Sequence, residues 1–126
     1  QKLWDSGARE IHVRVACPPL MFPCKFALST RSIQELAARR AIQSMEGSNN
    51  EHVDEYIDPH SERYRHMVEW IAHELNVTTL RYLSLDDMVK AIGMPEDQLC
   101  LYCWNGRYPD VVVQDDGEPQ IGLDLE

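Results

Sequence analysis

The sequence predicts a mixed α/β fold that is mostly helical with a few strands. A short helix, ended by Gly7, leads within a few residues into the alternating segment 10–16. This order is typical of the βα units that build a parallel or mixed sheet. A second β-prone segment, 78–83, comes after two amphipathic helical segments. With 126 residues, 44% of them hydrophobic, the chain is long enough to bury the core of one domain.

The first strand is predicted over residues 10–16. Its apolar side chains, Ile11, Val13 and Val15, alternate with His12 and Arg14, so one face of the strand would be buried.

A proline-rich loop runs from Cys17 to Cys24 and contains Pro18, Pro19 and Pro23. Proline removes a backbone donor and pushes the preceding residue toward an extended conformation. The loop should therefore be stiff, and it should lie at the carboxyl end of the strand, where open α/β sheets bind ligands.

Two helices are predicted between the strands. Ser32 and Glu35 have the spacing of a capping box, which would open a helix running to about Met45. Asp58 as N-cap and Pro59 at the first position would open the second helix. The predicted apolar stripes are Ile33, Leu36, Ala37 and Ala41 in the first helix, and Tyr64, Met67, Val68, Ile71 and Leu75 in the second.

A third helix should begin at Ser84, its predicted N-cap, and end at Gly93. Segment 111–113 is a possible last edge strand. We interpret Arg39 and Arg40 as a solvated or partner-facing helix edge, and the histidines of the second helix, His66 and His73, as solvated.

The net charge of −9 argues against nucleic acid or an anionic membrane as the main partner. No apolar run is long enough to span a bilayer, and no secretory leader is visible. Four cysteines without secretory features favour a reducing compartment, so we expect a cytoplasmic protein.

The cysteines are the main chemical feature. Cys100 and Cys103 form a Cys-x-x-Cys pair, and a metal or iron–sulfur cluster usually takes thiolates from more than one segment, so Cys24 and Cys17 are candidates for the remaining ligands. Four buried free cysteines would be the alternative. A thioredoxin-type dithiol is less favoured, because the pair does not lie between a strand and a helix N-terminus.

Three separated blocks of the sequence resemble one enzyme family. They are Gly7–Pro19 followed by Phe22-Pro23-Cys24, then Leu80–Gly93, then Cys100–Pro109. The blocks are similar to Gly-Ala-Lys-Glu-Val-His-Val-Arg-Ile-Ala with its Pro-Pro and Pro-Cys continuation, and to Cys-Leu-Ala-Cys-Phe-x-Gly-Lys-Tyr-Pro, in glutamine phosphoribosylpyrophosphate amidotransferases (amidophosphoribosyltransferases).

The resemblance implies part of an enzyme that transfers glutamine-derived ammonia to phosphoribosylpyrophosphate, giving 5-phosphoribosylamine in de novo purine biosynthesis. Residues 1–126 would be the C-terminal fragment of its type I phosphoribosyltransferase domain, of Rossmann-like topology. Residues up to about 93 would be the α/β part, and 94–126 a cysteine-bearing tail with a disordered end. The family's catalytic cysteine and phosphoribosylpyrophosphate loop, with its Mg, are absent, so the chain alone should be inactive.

The resemblance also implies a cofactor and partners. In the cluster-containing branch, the positions of Cys24, Cys100 and Cys103 bind a 4Fe-4S cluster, with the fourth ligand upstream. Phe26 and Leu28 lie near the family's ammonia channel. The partners would be the remainder of the same chain and further copies in a homo-oligomer.

The sequence departs from the family in two ways. Residues 25–29 stand where the family usually reads Phe-Tyr-Gly-Ile-Asp, and the stretch 39–61 is longer than the usual connection and would be a surface feature or a subunit contact. At the position of Cys17, many members have serine. The alternative from another class is a small non-enzymatic zinc-binding or interaction module in which Cys17 is the fourth ligand.

Overall fold

The computed structural model describes residues 1–26 and 28–107. The helices and strands are, in chain order, α1 (Lys2–Asp5), β1 (His12–Val15), α2 (Ala37–Glu46), α3 (Val53–Ile57), α4 (Glu62–Glu74), β2 (Thr79–Tyr82), α5 (Leu85–Ile92) and α6 (Tyr102–Asn105), with 3-10 turns at Ile33–Glu35 and Glu96–Gln98. The possible strand at 111–113 lies outside the described residues.

In the described part of the chain, β1 and β2 form a parallel two-stranded sheet in which Val13 pairs with Leu80. The connection between the strands contains α2, α3 and α4. Side chains of β1 alternate between exposed and partly buried, as predicted. This architecture agrees with the predicted mixed α/β class, mostly helical with a few strands.

The core lies between α4 and the elements around it. Helix α4 packs against α2, α3 and β2, and its residues Met67 and Ile71 are buried. The fully enclosed core joins the proline loop, the helices and β2 through Met21, Ala38, Ala41, Ile42, Tyr56, Met67, Ile71 and Leu80. Of the helices in the described ranges, none has the length and apolar character needed to cross a membrane.

The predicted start of the first long helix is wrong. Ser32 makes no side-chain cap, and the Glu35 carboxylate accepts from the N–H of Arg31 instead of Ser32. Leu36 is extended and buried, which ends the 3-10 turn, so α2 begins at Ala37. The predicted apolar stripe shifts accordingly, because Ala37 is exposed.

The predicted start of α4 is wrong by one turn. Asp58 accepts a hydrogen bond from the N–H of His60, which forms a turn before the helix. The N-cap is Ser61, whose hydroxyl accepts from the N–H of Tyr64. Helix α5 begins and ends as predicted: the Ser84 hydroxyl accepts from the N–H of Asp87, and Gly93 is the C-cap.

Candidate functional site

The proline loop and α6 meet through a backbone carbonyl. The oxygen of Cys103 accepts from the N–H of Met21 at 2.8 Å and from the N–H of Phe22 at 3.0 Å. The loop that follows is closed by a hydrogen bond of 3.1 Å from the N–H of Cys24 to the oxygen of Thr30. Two segments far apart in sequence are therefore fixed side by side.

This contact brings Cys24 and Cys103 near each other, and each thiol influences the pKa of the other. The backbone N–H groups of Leu28 and Phe26 hold the pKa of the Cys24 thiol below its usual value, with smaller help from Ser29 and Cys103. Burial raises the pKa of Cys103, and the neighbouring Cys24 and Cys100 add to that. The lowered pKa favours the thiolate form of Cys24, which is the form that binds metals and attacks electrophiles.

Cys100 is the exposed cysteine of these three, and it contributes to the raised pKa of Cys103. Burial raises the pKa of Tyr82 in β2 and the Cys17 thiol adds to this effect, so Cys17 lies near that strand. Residues 1–26 and 28–107 contain no ready-made group of three or more His, Cys, Asp or Glu side chains that could hold a metal ion. The three thiols are therefore close but not arranged as a complete metal site.

The donor set suits one class of cofactor better than others. Thiolates from two segments, with backbone N–H groups directed at a sulfur, are ligands for iron–sulfur clusters or zinc, whereas Mg²⁺ prefers oxygen. The described residues supply three such thiols, Cys24, Cys100 and Cys103. A 4Fe-4S cluster takes four such ligands, one more than these three.

Arg39 contradicts the interpretation as a solvated edge. Its side chain is 3% exposed. Its Nε donates to the oxygen of Met21 at 2.6 Å, and Nη1 donates to the oxygen of Asn49 at 2.7 Å. Burial lowers the pKa of Arg39, but arginine remains charged at neutral pH. Sequence reasoning could not predict this burial, because either arginine of the pair can face inward when the orientation of the helix is unknown.

The ring of Phe22 lies between three neighbours. The guanidinium carbon of Arg39 is 4.9 Å from the ring centroid, and the Tyr102 ring is 5.6 Å away on a tilted plane. An ideal Cβ built on Gly106 would lie 2.8 Å from Phe22 Cζ. Lys25 Nζ lies 4.6 Å from the centroid of Tyr102. Aromatic and cationic groups thus pack together between the proline loop and α6.

The predicted channel residues lie on the surface beside this site. Phe26 is 43% exposed and Leu28 is 86% exposed. Their backbone N–H groups lower the pKa of the Cys24 thiol. The role of their side chains in an ammonia channel stays a prediction. His66 and His73 are exposed, as expected.

The long connection 39–61 is folded rather than extended over the surface. Its helix α3 buries Tyr56, which is 1% exposed and donates to Glu46 at 2.7 Å. Arg63 of α4 pairs with both Glu46 and Glu55. The helix escaped prediction because five residues are too few to show a helical period.

A cavity of about 250 Å³ lies beyond the carboxyl ends of both strands. Pro18 and Pro19 line it from the β1 side, Leu83 and Ser84 from the β2 side, and Trp104 from α6. The indole N–H of Trp104 is buried and has no hydrogen-bond partner among the described residues. The expected ligand-binding edge of the sheet therefore does carry a cavity.

No known family model matches the chain, and no solved structure matches it. Curated relatives do match. It is 29% identical over 123 residues to the amidophosphoribosyltransferase of Bacillus subtilis, covering 94% of this chain and 21% of that protein. It is 35% identical over 107 residues to that of Mycobacterium tuberculosis (85% and 16%), and 31% identical over 114 residues to that of Methanothermobacter thermautotrophicus (90% and 19%).

The chain thus spans about a fifth or less of the length of these relatives, while most of its own length is matched. The comparisons support the amidophosphoribosyltransferase family for this chain.

Proposed function

We propose that the chain is part of an amidophosphoribosyltransferase, the enzyme that transfers glutamine-derived ammonia to phosphoribosylpyrophosphate to give 5-phosphoribosylamine in de novo purine biosynthesis. The observation that carries the proposal is similarity to proteins of that name over 85 to 94% of the chain. The parallel strand pair and the cavity at its carboxyl edge are compatible with a place in a phosphoribosyltransferase domain.

The remaining parts of the enzyme would be supplied by the rest of the same polypeptide. The relatives are about five times longer or more, so this chain would lack the glutaminase and the phosphoribosylpyrophosphate–Mg site and would be inactive alone. It would act in the cytoplasm as part of a homo-oligomer.

Cys24, Cys100 and Cys103 would be three ligands of a 4Fe-4S cluster, with the fourth from outside this chain. Bound there, the cluster would supply a covalent connection between the proline loop and α6, with a structural rather than a redox role. The chain's own contribution is the thiolate-favouring environment of Cys24 and the fixed contact between Cys24 and Cys103.

The non-enzymatic zinc module with four cysteine ligands is less well supported. It requires the Cys17 thiol to join the other three thiols, whereas that thiol lies near β2, where it adds to the effect of burial in raising the pKa of Tyr82. In the enzyme proposal, Cys17 has no ligand role.

Metal analysis tests the ligand assignment. The chain would be purified without oxygen, and its iron, sulfide and zinc contents would be measured together with a visible spectrum. We expect iron and sulfide in the unsubstituted chain and in Cys17→Ser, with an added thiol or a solvent molecule as the fourth ligand, and loss of both in Cys24→Ser. Zinc that is lost in Cys17→Ser as well as in Cys24→Ser would support the zinc module instead.

A chimera tests the enzyme assignment. The matched region of the Bacillus subtilis enzyme would be replaced by this chain, and the chimera would be expressed in a strain that cannot make purines. Growth without added purine is the expected result, and the same chimera without the replaced region is the control. A chimera that folds but gives no phosphoribosylamine with either glutamine or ammonia would contradict the proposal.

A further inference from the structure

Arg39 is a cation enclosed by neutral groups. Its three hydrogen bonds go to the oxygens of Met21 and Asn49 and, at 3.4 Å, to the side-chain oxygen of Asn50. No carboxylate of the described residues forms an ion pair with it. A charge buried without a counter-ion is unfavourable unless its hydrogen bonds are well made, so these contacts need a reason beyond packing.

The contacts of Arg39 lead directly to the thiols. Arg39 binds the carbonyl of Met21, while the N–H groups of Met21 and Phe22 bind the carbonyl of Cys103. The guanidinium also lies over the face of Phe22, whose ring touches α6 at Tyr102 and Gly106. One side chain of α2 therefore fixes both the backbone and the aromatic ring of the loop that precedes Cys24.

The long connection encloses Arg39 from the other side. Asn49 and Asn50, which accept from its guanidinium, lie in the loop after α2, within the stretch 39–61 that the resemblance predicts to be longer than the usual connection. The same stretch is anchored to the core through buried Tyr56. The loop after α2 is therefore connected to the side chain that holds the carbonyl of Met21.

We propose that Arg39 is a positioning residue, held by the loop at Asn49 and Asn50, that fixes the proline loop against α6 so that the thiols of Cys24 and Cys103 meet. The proposal rests on the proposed function only for what these thiols bind; their proximity can be tested without any metal.

A bifunctional bromobimane provides the test, because it becomes strongly fluorescent only when both of its arms have alkylated thiols. Each thiolate displaces one bromide and forms one carbon–sulfur bond, so crosslinking reports two thiols within reach of each other. All proteins would carry Cys17→Ser and Cys100→Ser, leaving only Cys24 and Cys103, and the crosslink would be located by peptide mass spectrometry.

We expect the crosslinking rate to fall about tenfold in Arg39→Met, because the thiols lose their fixed proximity. Arg39→Lys should fall less, since lysine keeps the charge but lacks the planar fork that binds two carbonyls and stacks on Phe22. Arg40→Met, which alters the exposed neighbour, should crosslink at the parent rate. Tyr56→Phe controls for stability, because it weakens the same region without touching the contacts of Arg39.

Parent-like crosslinking in Arg39→Met overturns the proposal. If Arg39→Met does not fold, a parent-like rate in Arg39→Lys overturns it equally, as does a Tyr56→Phe rate as low as that of the arginine variants. Reduced crosslinking confined to the Arg39 variants supports it. This outcome does not depend on the proposed cluster, because proteins without Cys100 lack one of its ligands and report only the proximity of Cys24 and Cys103.

Discussion

Gly106 and Phe22 are in direct contact across the boundary between α6 and the proline loop. Gly106 has a φ of +70° at the end of α6, and an ideal Cβ there would lie 2.8 Å from Phe22 Cζ and 2.9 Å from Cε2. The position therefore needs glycine for two independent reasons, the left-handed backbone and the space occupied by the ring.

Gly106→Ala should lower the free energy of unfolding by about 2 to 4 kcal/mol, combining left-handed strain with displacement of Phe22. Gly93→Ala is the matched control, because Gly93 has a φ of +74° but nothing within 4 Å of an added Cβ. The control should lose only about 1 to 2 kcal/mol. Urea denaturation measures both, and equal losses would show that the ring moves aside at no cost.

Ser84→Ala should lower the free energy of unfolding by about 1 kcal/mol, because the Ser84 hydroxyl caps α5 by accepting from the N–H of Asp87. Ser32→Ala should change it by less than about 0.5 kcal/mol, since Ser32 makes no cap hydrogen bond. Thermal unfolding of the two variants checks the difference. A loss in Ser32→Ala as large as in Ser84→Ala would instead support the predicted capping box at Ser32.

Met67→Ala should lower the free energy of unfolding by about 2 to 5 kcal/mol, because Met67 is fully buried in the core and its loss leaves a cavity. Leu75→Ala, in the same predicted apolar stripe, should cost less than about 0.5 kcal/mol because Leu75 is 57% exposed. Urea titrations again provide the measurement. A large loss in Leu75→Ala would mean that another surface covers this leucine.

Glu46 should make stability depend on acid pH. The hydrogen bond from Tyr56 lowers the pKa of Glu46 from its usual 4.5, burial opposes this, and Arg63 assists it. Because the folded-state pKa is the lower one, this contribution to stability is fully present above pH 4.5 and is lost as the pH falls through the folded value.

The check is the difference in urea midpoint between the parent chain and Glu46→Gln, measured at about pH 7 and about pH 3. The difference should be clear at the higher pH and should shrink at the lower one. Glu62→Gln serves as control, because the Glu62 side chain is 85% exposed in its pair with Arg65. A difference for Glu46→Gln that grows on acidification would contradict the assignment.

Local signals predicted part of the fold well. The alternation in β1 and the serine and glycine limits of α5 depend on neighbouring residues only, and the structure confirms them. Ser32 shows where such reasoning ends: the same cap pattern fails because Leu36 is drawn into the core in an extended conformation. Tertiary burial overrode the local preference there.

The candidate site could likewise be predicted only in part. The cysteine spacing indicated which thiols to examine, and the structure places the segments of Cys24 and Cys103 side by side through the carbonyl of Cys103. The role of Arg39 could not be predicted, because its partners are backbone oxygens of Met21 and Asn49, and any residue type can supply those. A contact with a backbone oxygen therefore cannot be inferred from the type of the residue that supplies it.

The parallel pairing of β1 with β2 has a consequence for how the chain acquires its site. Ile11 and Thr78, at the start of the pairing, are separated by 67 positions. Joining the two strands therefore closes a long loop, and such long-range closure is slow. Cys103 follows the second strand. During synthesis on the ribosome, Cys24 therefore emerges long before its partner thiol, and the two can meet only after nearly all of the described chain has been made.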